Sequence, residues 1–183
     1  MTTKIMTVVK GAIVGGLISF FVVSLCWTVV PFHKMVLKRV DGEARFSVAL
    51  KSSIKDPGVY VVPSYDDNAS LDEAHQRMQQ GPFAFMAILP EGKDPGMGLN
   101  MLIGLLTHIL VAGMISYLLT LTNMTSYLCR VCFVKTAALA GTILVTVAEW
   151  NWWGFSCSYA LLAIGEAAVV WGLAGLGIAK VVK

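Results

Sequence analysis

Charged residues are scarce in this chain. Only 14% of its 183 residues are Asp, Glu, Lys or Arg, whereas about 25% is typical of soluble proteins. Two long runs contain none of them: 22 residues from Gly11 to Phe32, and 35 residues from Pro95 to Cys129, where only His108 titrates near neutral pH. Crossing a bilayer takes about 20 apolar residues. The composition therefore predicts an integral membrane protein and argues against a soluble enzyme.

Familiar catalytic motifs are also missing. The sequence contains no G-x-S-x-G, no H-E-x-x-H and no phosphate-binding G-x-x-x-x-G-K-[ST]. Its net charge of +3 comes from basic residues that are scattered or lie at the ends of apolar runs, which argues against nucleic-acid binding. We therefore predict no catalytic residue and no cofactor. The expected contacts are the lipid bilayer and other membrane subunits, or a second copy of the chain.

Four membrane spans are predicted, at residues 9–30, 98–121, 131–150 and 158–179. Six basic residues fall on the side of the two termini, and no acidic residue accompanies them: Lys4, Lys10, Arg130, Lys135, Lys180 and Lys183. Because basic residues favour the cytoplasmic side, both termini are predicted to be cytoplasmic. The chain then divides into 1–30 with the first span, an outer insert at 31–97, and 98–183 with the other three spans.

The insert is predicted to contain a helix, a strand, a second helix and a second strand. Asp41 is expected to cap a helix that runs to Ile54, and residues 59–62 and 83–89 read as strands. Ser70 and Glu73 form a capping box for the second helix, which Gly81 closes. Two strands alone are marginally stable in water, so the insert should rest on the membrane, a partner or another copy. Asp66 and Asp67 fit a solvated turn between these elements.

Aromatic residues cluster at the predicted outer interface, where rings with a polar edge favour the headgroup region. We interpret them as membrane anchors, with a lipid- or partner-binding lip as the alternative. The set comprises Trp27, Trp150, Trp152, Trp153 and Phe155.

Three segments of the chain resemble a known group of sequences. They are Trp27 with Pro31-Phe32-His33-Lys34-Met35, Gly81-Pro82-Phe83-Ala84 with Pro90-Glu91-Gly92, and Trp150-Asn151-Trp152-Trp153-Gly154-Phe155. Together these segments resemble an uncharacterised family of small bacterial inner-membrane proteins with four spans and an insert after the first. The resemblance implies an inner-membrane location and a periplasmic insert. It implies no activity and no site residue.

Two titratable side chains, His108 and Glu166, lie well inside predicted spans, and such residues suggest function by default. Counted from the outer ends of their spans, both lie about 12 to 14 Å deep at 1.5 Å per residue. We therefore expect them to meet. A structural hydrogen-bonded pair, a proton or ion path, and contact with another subunit are all compatible with this placement.

Soft ligands suggest two further possibilities. His33, Met35, His75 and Met78 lie on the predicted periplasmic side, and imidazole with thioether suits Cu(I). Cys26 and Cys157 both lie near the outer interface, where an oxidising compartment permits a disulfide. Cys129 and Cys132 form a C-x-x-C without further ligands nearby, so we interpret them as packing residues.

Small residues mark two helix faces, one in the first span and one in the fourth. Such residues allow close helix packing, either within the four-helix bundle or against another chain. The faces contain Gly11 and Gly15, and Gly165, Ala168, Gly172, Gly175 and Ala179.

These observations predict an all-α, four-helix transmembrane bundle with a small periplasmic α/β insert between its first two spans. Its expected function is that of a non-catalytic accessory or scaffold subunit of a membrane complex. One alternative is a small transporter or channel component that uses His108 and Glu166. The other is a periplasm-facing copper protein.

Overall fold

The computed structural model describes residues 2–64 and 70–183, and this part of the chain is mostly helical. Asp66 and Asp67 lie outside the described residues. In chain order the elements are α1 (Thr2–Thr28), α2 (Phe32–Val36), α3 (Glu43–Ser53), β1 (Gly58–Val62), α4 (Leu71–Gln80), β2 (Ala84–Ile88), α5 (Gly98–Thr120), α6 (Tyr127–Trp153) and α7 (Cys157–Val181).

Four of these helices, α1, α5, α6 and α7, are long and apolar enough to cross a membrane. They match the four predicted spans, although α6 begins four residues earlier and ends three residues later than predicted. The prediction of a mostly helical chain with four long apolar helices and a small two-stranded sheet is thus confirmed. Ser126 and Ser156 cap α6 and α7 with their hydroxyl oxygens, and Gly154 ends α6 at a φ of 75°.

The four long helices pack in the order α5, α1, α7, α6, and α5 meets α6 only weakly. Glycines allow α1 to approach both of its neighbours. A Cβ on Gly16 would lie 2.6 Å from the Ile109 backbone on α5, and one on Gly15 would lie 2.5 Å from Ile178 on α7. Buried Ile115, Ile178 and Val134 continue the core across α5, α7 and α6. The molecule is therefore built from two antiparallel pairs, α1–α5 and α6–α7, joined along the α1–α7 contact.

The two pairs are offset along their long axis. Gly11 lies against Val182, and Gly15 against Ile178, so the α1–α7 contact is antiparallel. Cys26, near the outer end of α1, lies close to Glu166. Because Glu166 is the tenth residue of α7 and α1 ends at Thr28, two residues after Cys26, about seven residues of α7, or about 10 Å, extend beyond the end of α1. The α6–α7 hairpin therefore overhangs the α1–α5 pair on the side of the insert.

The insert contains the predicted helix, strand, helix, strand order, preceded by the short α2. Strands β1 and β2 pair in antiparallel register, with Gly58 opposite Ile88 and Val62 opposite Ala84. The expected helix cap at Asp41 is wrong. Gly42 is the N-cap, in the left-handed conformation at φ 71°, and no side chain caps α3. The left-handed backbone at Gly42 begins the helix two residues after Asp41.

The second helix of the insert begins and ends as predicted. The Ser70 hydroxyl accepts a hydrogen bond from the Glu73 N–H, and the Glu73 carboxylate accepts one from the Ser70 N–H at 2.9 Å. Gly81 is the C-cap at φ 61°. Hydrogen bonding to the ionised carboxylate, chiefly from the Ser70 N–H, lowers the pKa of Glu73 below its ordinary value.

The insert contacts the tip of the overhanging hairpin through aromatic rings. Phe85 of β2 stacks on Trp153 with ring centroids 4.5 Å apart, and the Phe83 ring faces Gly154. Trp150 and Trp152 are 48% and 71% exposed. Within the predicted aromatic anchor, one indole thus contacts the insert while its two neighbours project outward.

Candidate functional site

The segment after α1 turns back onto the helices. The N–H groups of Val29 and Val30 both bond to the Leu25 carbonyl, and α2 then begins after Pro31. Proline suits this position because it lacks the N–H that a helix start cannot use. The five-residue α2 packs against both α7 and α1. This turn brings His33 beside α7 just beyond the end of α1.

His33 and Glu166 form a buried pair at this place. Nε2 of His33 lies 3.2 Å from Oε2 of Glu166, and the two side chains are only 10% and 15% exposed. The imidazole also stacks on the indole of Trp27, with ring centroids 3.7 Å apart and planes 20° apart. Trp27 is itself 56% exposed, so its ring separates the pair from the surroundings of the helices. We call His33, Glu166 and Trp27 the outer polar cluster.

The outer polar cluster leaves two of its buried polar atoms unpaired. One nitrogen and one oxygen make the pair, while the other two heteroatoms, Nδ1 of His33 and Oε1 of Glu166, are buried without a hydrogen-bond partner in the described part of the chain. A buried carboxylate is costly unless it is paired. The imidazole therefore stabilises the carboxylate, and the pair fixes α2 on α7.

The expected pair of His108 with Glu166 is wrong, because each residue has a different partner. Nδ1 of His108 lies 2.9 Å from the hydroxyl of Ser19 on α1, and that hydroxyl donates to the Gly16 carbonyl. A hydroxyl has one proton, so His108 Nδ1 donates to Ser19. The imidazole also lies near the ring of Trp171, at a centroid distance of 6.2 Å. His108 is thus held by neighbours within the helices.

The offset of the two helical pairs explains this error. Depth was counted from the outer end of each helix, as if all four ended at one level. Trp171, which neighbours His108, lies five residues from Glu166 along α7, or about 7 Å along the helix axis. Glu166 therefore lies at the level of α2, and His108 lies deeper.

The two small-residue faces have different surroundings. Gly11 and Gly15 pack closely against α5 and α7, and Gly175 lies against Val131 on α6. In contrast, a Cβ on Gly165 or Gly172 would meet nothing within 4 Å. Half-buried Ala168 lies between those two glycines. The close-packing role therefore belongs to Gly11, Gly15 and Gly175.

The soft-ligand candidates do not assemble into one group. All four cysteines are free, and Cys157 lies about 13 Å along α7 from Glu166, beside which Cys26 is placed. The Cys26–Cys157 disulfide that the sequence permits is therefore not formed. Cys129 and Cys132 are both exposed on α6.

Of the copper candidates, His33 is engaged by Glu166, Met35 is 76% exposed beside it on α2, and His75 and Met78 lie on α4. No three His, Cys, Asp or Glu side chains come together as a metal site within residues 2–64 and 70–183. Copper binding stays a prediction that metal analysis can test.

Comparison with known proteins adds no relative: no family model, no curated protein and no solved structure matches this chain. The site must therefore be interpreted from its own residues.

Sequence reasoning missed two polar partners, His33 for Glu166 and Ser19 for His108. His33 was considered only as a metal ligand, since it lies outside the predicted spans. The turn signal Pro31, together with Trp27 six residues before His33, was the available sign that the chain folds back. Ser19 had no such sign, because a serine in an apolar helix commonly bonds to its own backbone.

Proposed function

We propose that this protein is a non-catalytic accessory or scaffold subunit of a bacterial inner-membrane complex, whose helices hold the outer insert against a partner. The observation that carries the proposal is that neither α3 nor α4 buries a single residue. Apolar side chains on them are exposed, among them Val48 at 69% and Leu71 at 79%. Apolar surface on an ordered element is typical of an interaction site.

The attachment of the insert supports the same proposal. The outer polar cluster fixes α2 on α7, and the Phe85–Trp153 stack fixes β2 on the hairpin tip. The insert is thus held through α2 and through β2, while α3 and α4 stay uncovered. A two-stranded sheet has little stability of its own, so this attachment positions the insert for another protein to contact.

Orientation follows from charge. Basic residues without acidic neighbours lie at the end of the molecule that carries the termini, which favours placing that end in the cytoplasm and the insert in the periplasm. Two polar contacts join neighbouring elements of the helical part, His33 with Glu166 and His108 with Ser19. These contacts suit a structural role.

Gentle extraction from the native membrane followed by native mass determination tests the proposal. We expect a foreign membrane subunit in fixed stoichiometry with this chain. Replacing residues 41–93 by a flexible linker leaves α2 and the outer polar cluster in place, and should abolish that association. As a matched control, Leu144→Ala changes an apolar side chain on α6 that is 75% exposed and should retain the partner.

A homo-oligomer without foreign subunits, unchanged by loss of the insert, would overturn the proposal. Transport by that homo-oligomer in liposomes would favour the transporter alternative. Copper in the same preparation, lost on His75→Ala, would favour the copper alternative.

A further inference from the structure

The offset of the helical pairs leaves a step at the end that carries the termini. Because Val182 already lies against Gly11, the first turns of α1 extend beyond the end of α7. A cavity of about 210 Å³ occupies this step, between the start of α1, the α5–α6 turn and the end of α7. We call it the basic cavity, since Lys4, Arg130 and Lys183 line it.

Positive charge in the basic cavity is not neutralised by acidic side chains. No Asp or Glu lines it among the described residues, and none occurs in 1–40, 95–148 or 167–183. Arg130 is held in place by its Nε, which donates to the Ala179 carbonyl, and by Nη1, which donates to two carbonyls of the α5–α6 turn. Its Nη2 makes no such bond to the described residues. Lys4 and Lys183 are exposed, so three cations can converge on one anion.

An apolar groove adjoins the basic cavity. It has a volume of about 330 Å³ and lies between α1 and α5, where Ile5, Val8, Val9, Tyr117 and Leu121 line it. Lys4 and Thr120 line both the groove and the basic cavity, so the two spaces share a border. The groove runs from the helix ends toward the apolar middle of α1 and α5. A ligand that fills both spaces needs an anionic head and an apolar tail.

We propose that the basic cavity and the adjoining groove form a binding site for one anionic phospholipid, with its phosphate among Lys4, Arg130 and Lys183 and an acyl chain along α1 and α5. All three cations lie within four residues of the ends of long helices. Basic pockets between helix ends are suited to anionic headgroups. The groove selects a lipid over a free phosphate, which has no apolar part to bury.

Stepwise lipid titration, read by native mass spectrometry of the detergent-solubilised protein, tests this site. Phosphatidylglycerol is the anionic probe and phosphatidylcholine the zwitterionic one. We expect the first phosphatidylglycerol to bind about tenfold or more tighter than phosphatidylcholine, since each surface cation contributes substantially to anionic lipid affinity. Lys4→Gln with Lys183→Gln should remove most of this preference.

Two further variants separate the site from general attraction. Lys10→Gln with Lys135→Gln removes the same charge from exposed positions outside the cavity, and should keep the affinity within about twofold of the unmodified chain. Val9→Trp fills the groove from a position that is 44% exposed and leaves every cation in place. It should weaken phosphatidylglycerol binding, because the acyl chain loses its place.

Three results would overturn the proposal. Equal loss of binding in the two double-lysine variants would show attraction to overall charge alone. Equal affinity for phosphatidylglycerol and phosphatidylcholine would show that the cations do not select the headgroup. Unchanged binding in Val9→Trp, with displacement of the lipid by inorganic phosphate, would assign the basic cavity to a free anion.

Discussion

The two ends of this molecule differ in how the chain fills the space that the helix offset leaves. Because the α6–α7 pair is displaced from the α1–α5 pair, each end has a step, where one pair extends beyond the other. At the outer step the chain supplies its own filling, since α2 folds back and His33 binds Glu166. At the other step none of the described residues fills the space, and an open, basic cavity remains. A step closed by a buried pair contributes to stability, whereas an open step lined by cations is available to a ligand.

The largest loss of stability should come from breaking the His33–Glu166 pair, which closes the outer step. His33→Leu removes the imidazole and leaves the Glu166 carboxylate buried and unpaired. Breaking a buried pair in this way costs about 3–5 kcal/mol, so the free energy of unfolding in detergent should fall by about this amount. Chemical denaturation followed by tryptophan fluorescence measures it.

A double variant is the control for that experiment. His33→Leu with Glu166→Leu removes both polar side chains and keeps apolar volume, and such replacements are often neutral or stabilising. We expect stability to return to near that of the unmodified chain. If His33→Leu alone caused no loss, the pair would not be what closes the outer step.

The next effect concerns the packing that sets the offset. Gly16→Ala places a methyl group 2.6 Å from the Ile109 backbone, which only separation of α1 and α5 can relieve. Overpacking of this kind costs about 1–3 kcal/mol, measured as a lower midpoint of unfolding. Gly172→Ala makes the same change where a Cβ meets nothing within 4 Å, and should preserve or raise stability. Equal losses in both variants would contradict the close approach at Gly16.

A smaller effect is expected where the insert meets the overhang. Phe85→Leu removes the ring that stacks on Trp153, and an aromatic pair contributes about 0.5–1.5 kcal/mol beyond its area. Hydrogen exchange of the β1 and β2 amides should therefore accelerate several-fold. Phe46→Leu, on the exposed helix α3, is the comparison and should leave this exchange unchanged. Similar acceleration in both would mean that the stack does not hold the insert.

The smallest expected effect is a pH-dependent change in the stability of α4, in the insert. Because the pKa of Glu73 is lowered in the folded state, its contribution to α4 is present above the ordinary carboxyl pKa and is lost as pH falls through the lowered one. Carbon-13 titration of the Glu73 carboxyl measures this pKa. Ser70→Ala removes the hydroxyl but keeps the N–H that accounts for most of the effect, so the pKa should rise only partly. A complete return to the ordinary value would contradict that order of causes.

Local signals in the sequence predicted much of the fold. The charge-free runs located the four long helices, and the Ser70–Glu73 capping box located α4 to the residue. Each of these signals acts within a few turns of chain, which is why sequence alone was sufficient. The cap of α3 was wrong because Gly42 adopts a left-handed backbone that makes the nearby Asp41 unnecessary.

The site was harder to predict because it depends on how helices slide past one another. Apolar periodicity specifies which residues face a neighbour, but the level at which two helices meet depends on contacts such as Gly15 with Ile178 and Gly16 with Ile109. Because the helical pairs are offset by a few residues, Glu166 lies at the level of His33 and not at the level of His108, its predicted partner. The basic cavity likewise exists only because of this shift, since its cations come from three separate segments.

The overhang of α6 and α7 has a consequence for how the protein sits among lipids. If the four long helices cross a bilayer, as we propose, a hydrocarbon slab about 30 Å thick cannot be flush with both helical pairs when one is displaced by about 10 Å along its neighbour. Mismatch of this kind is relieved by tilting or by local thinning of the bilayer. We expect the helices to lean within the bilayer. Membrane thickness would then influence where this protein accumulates.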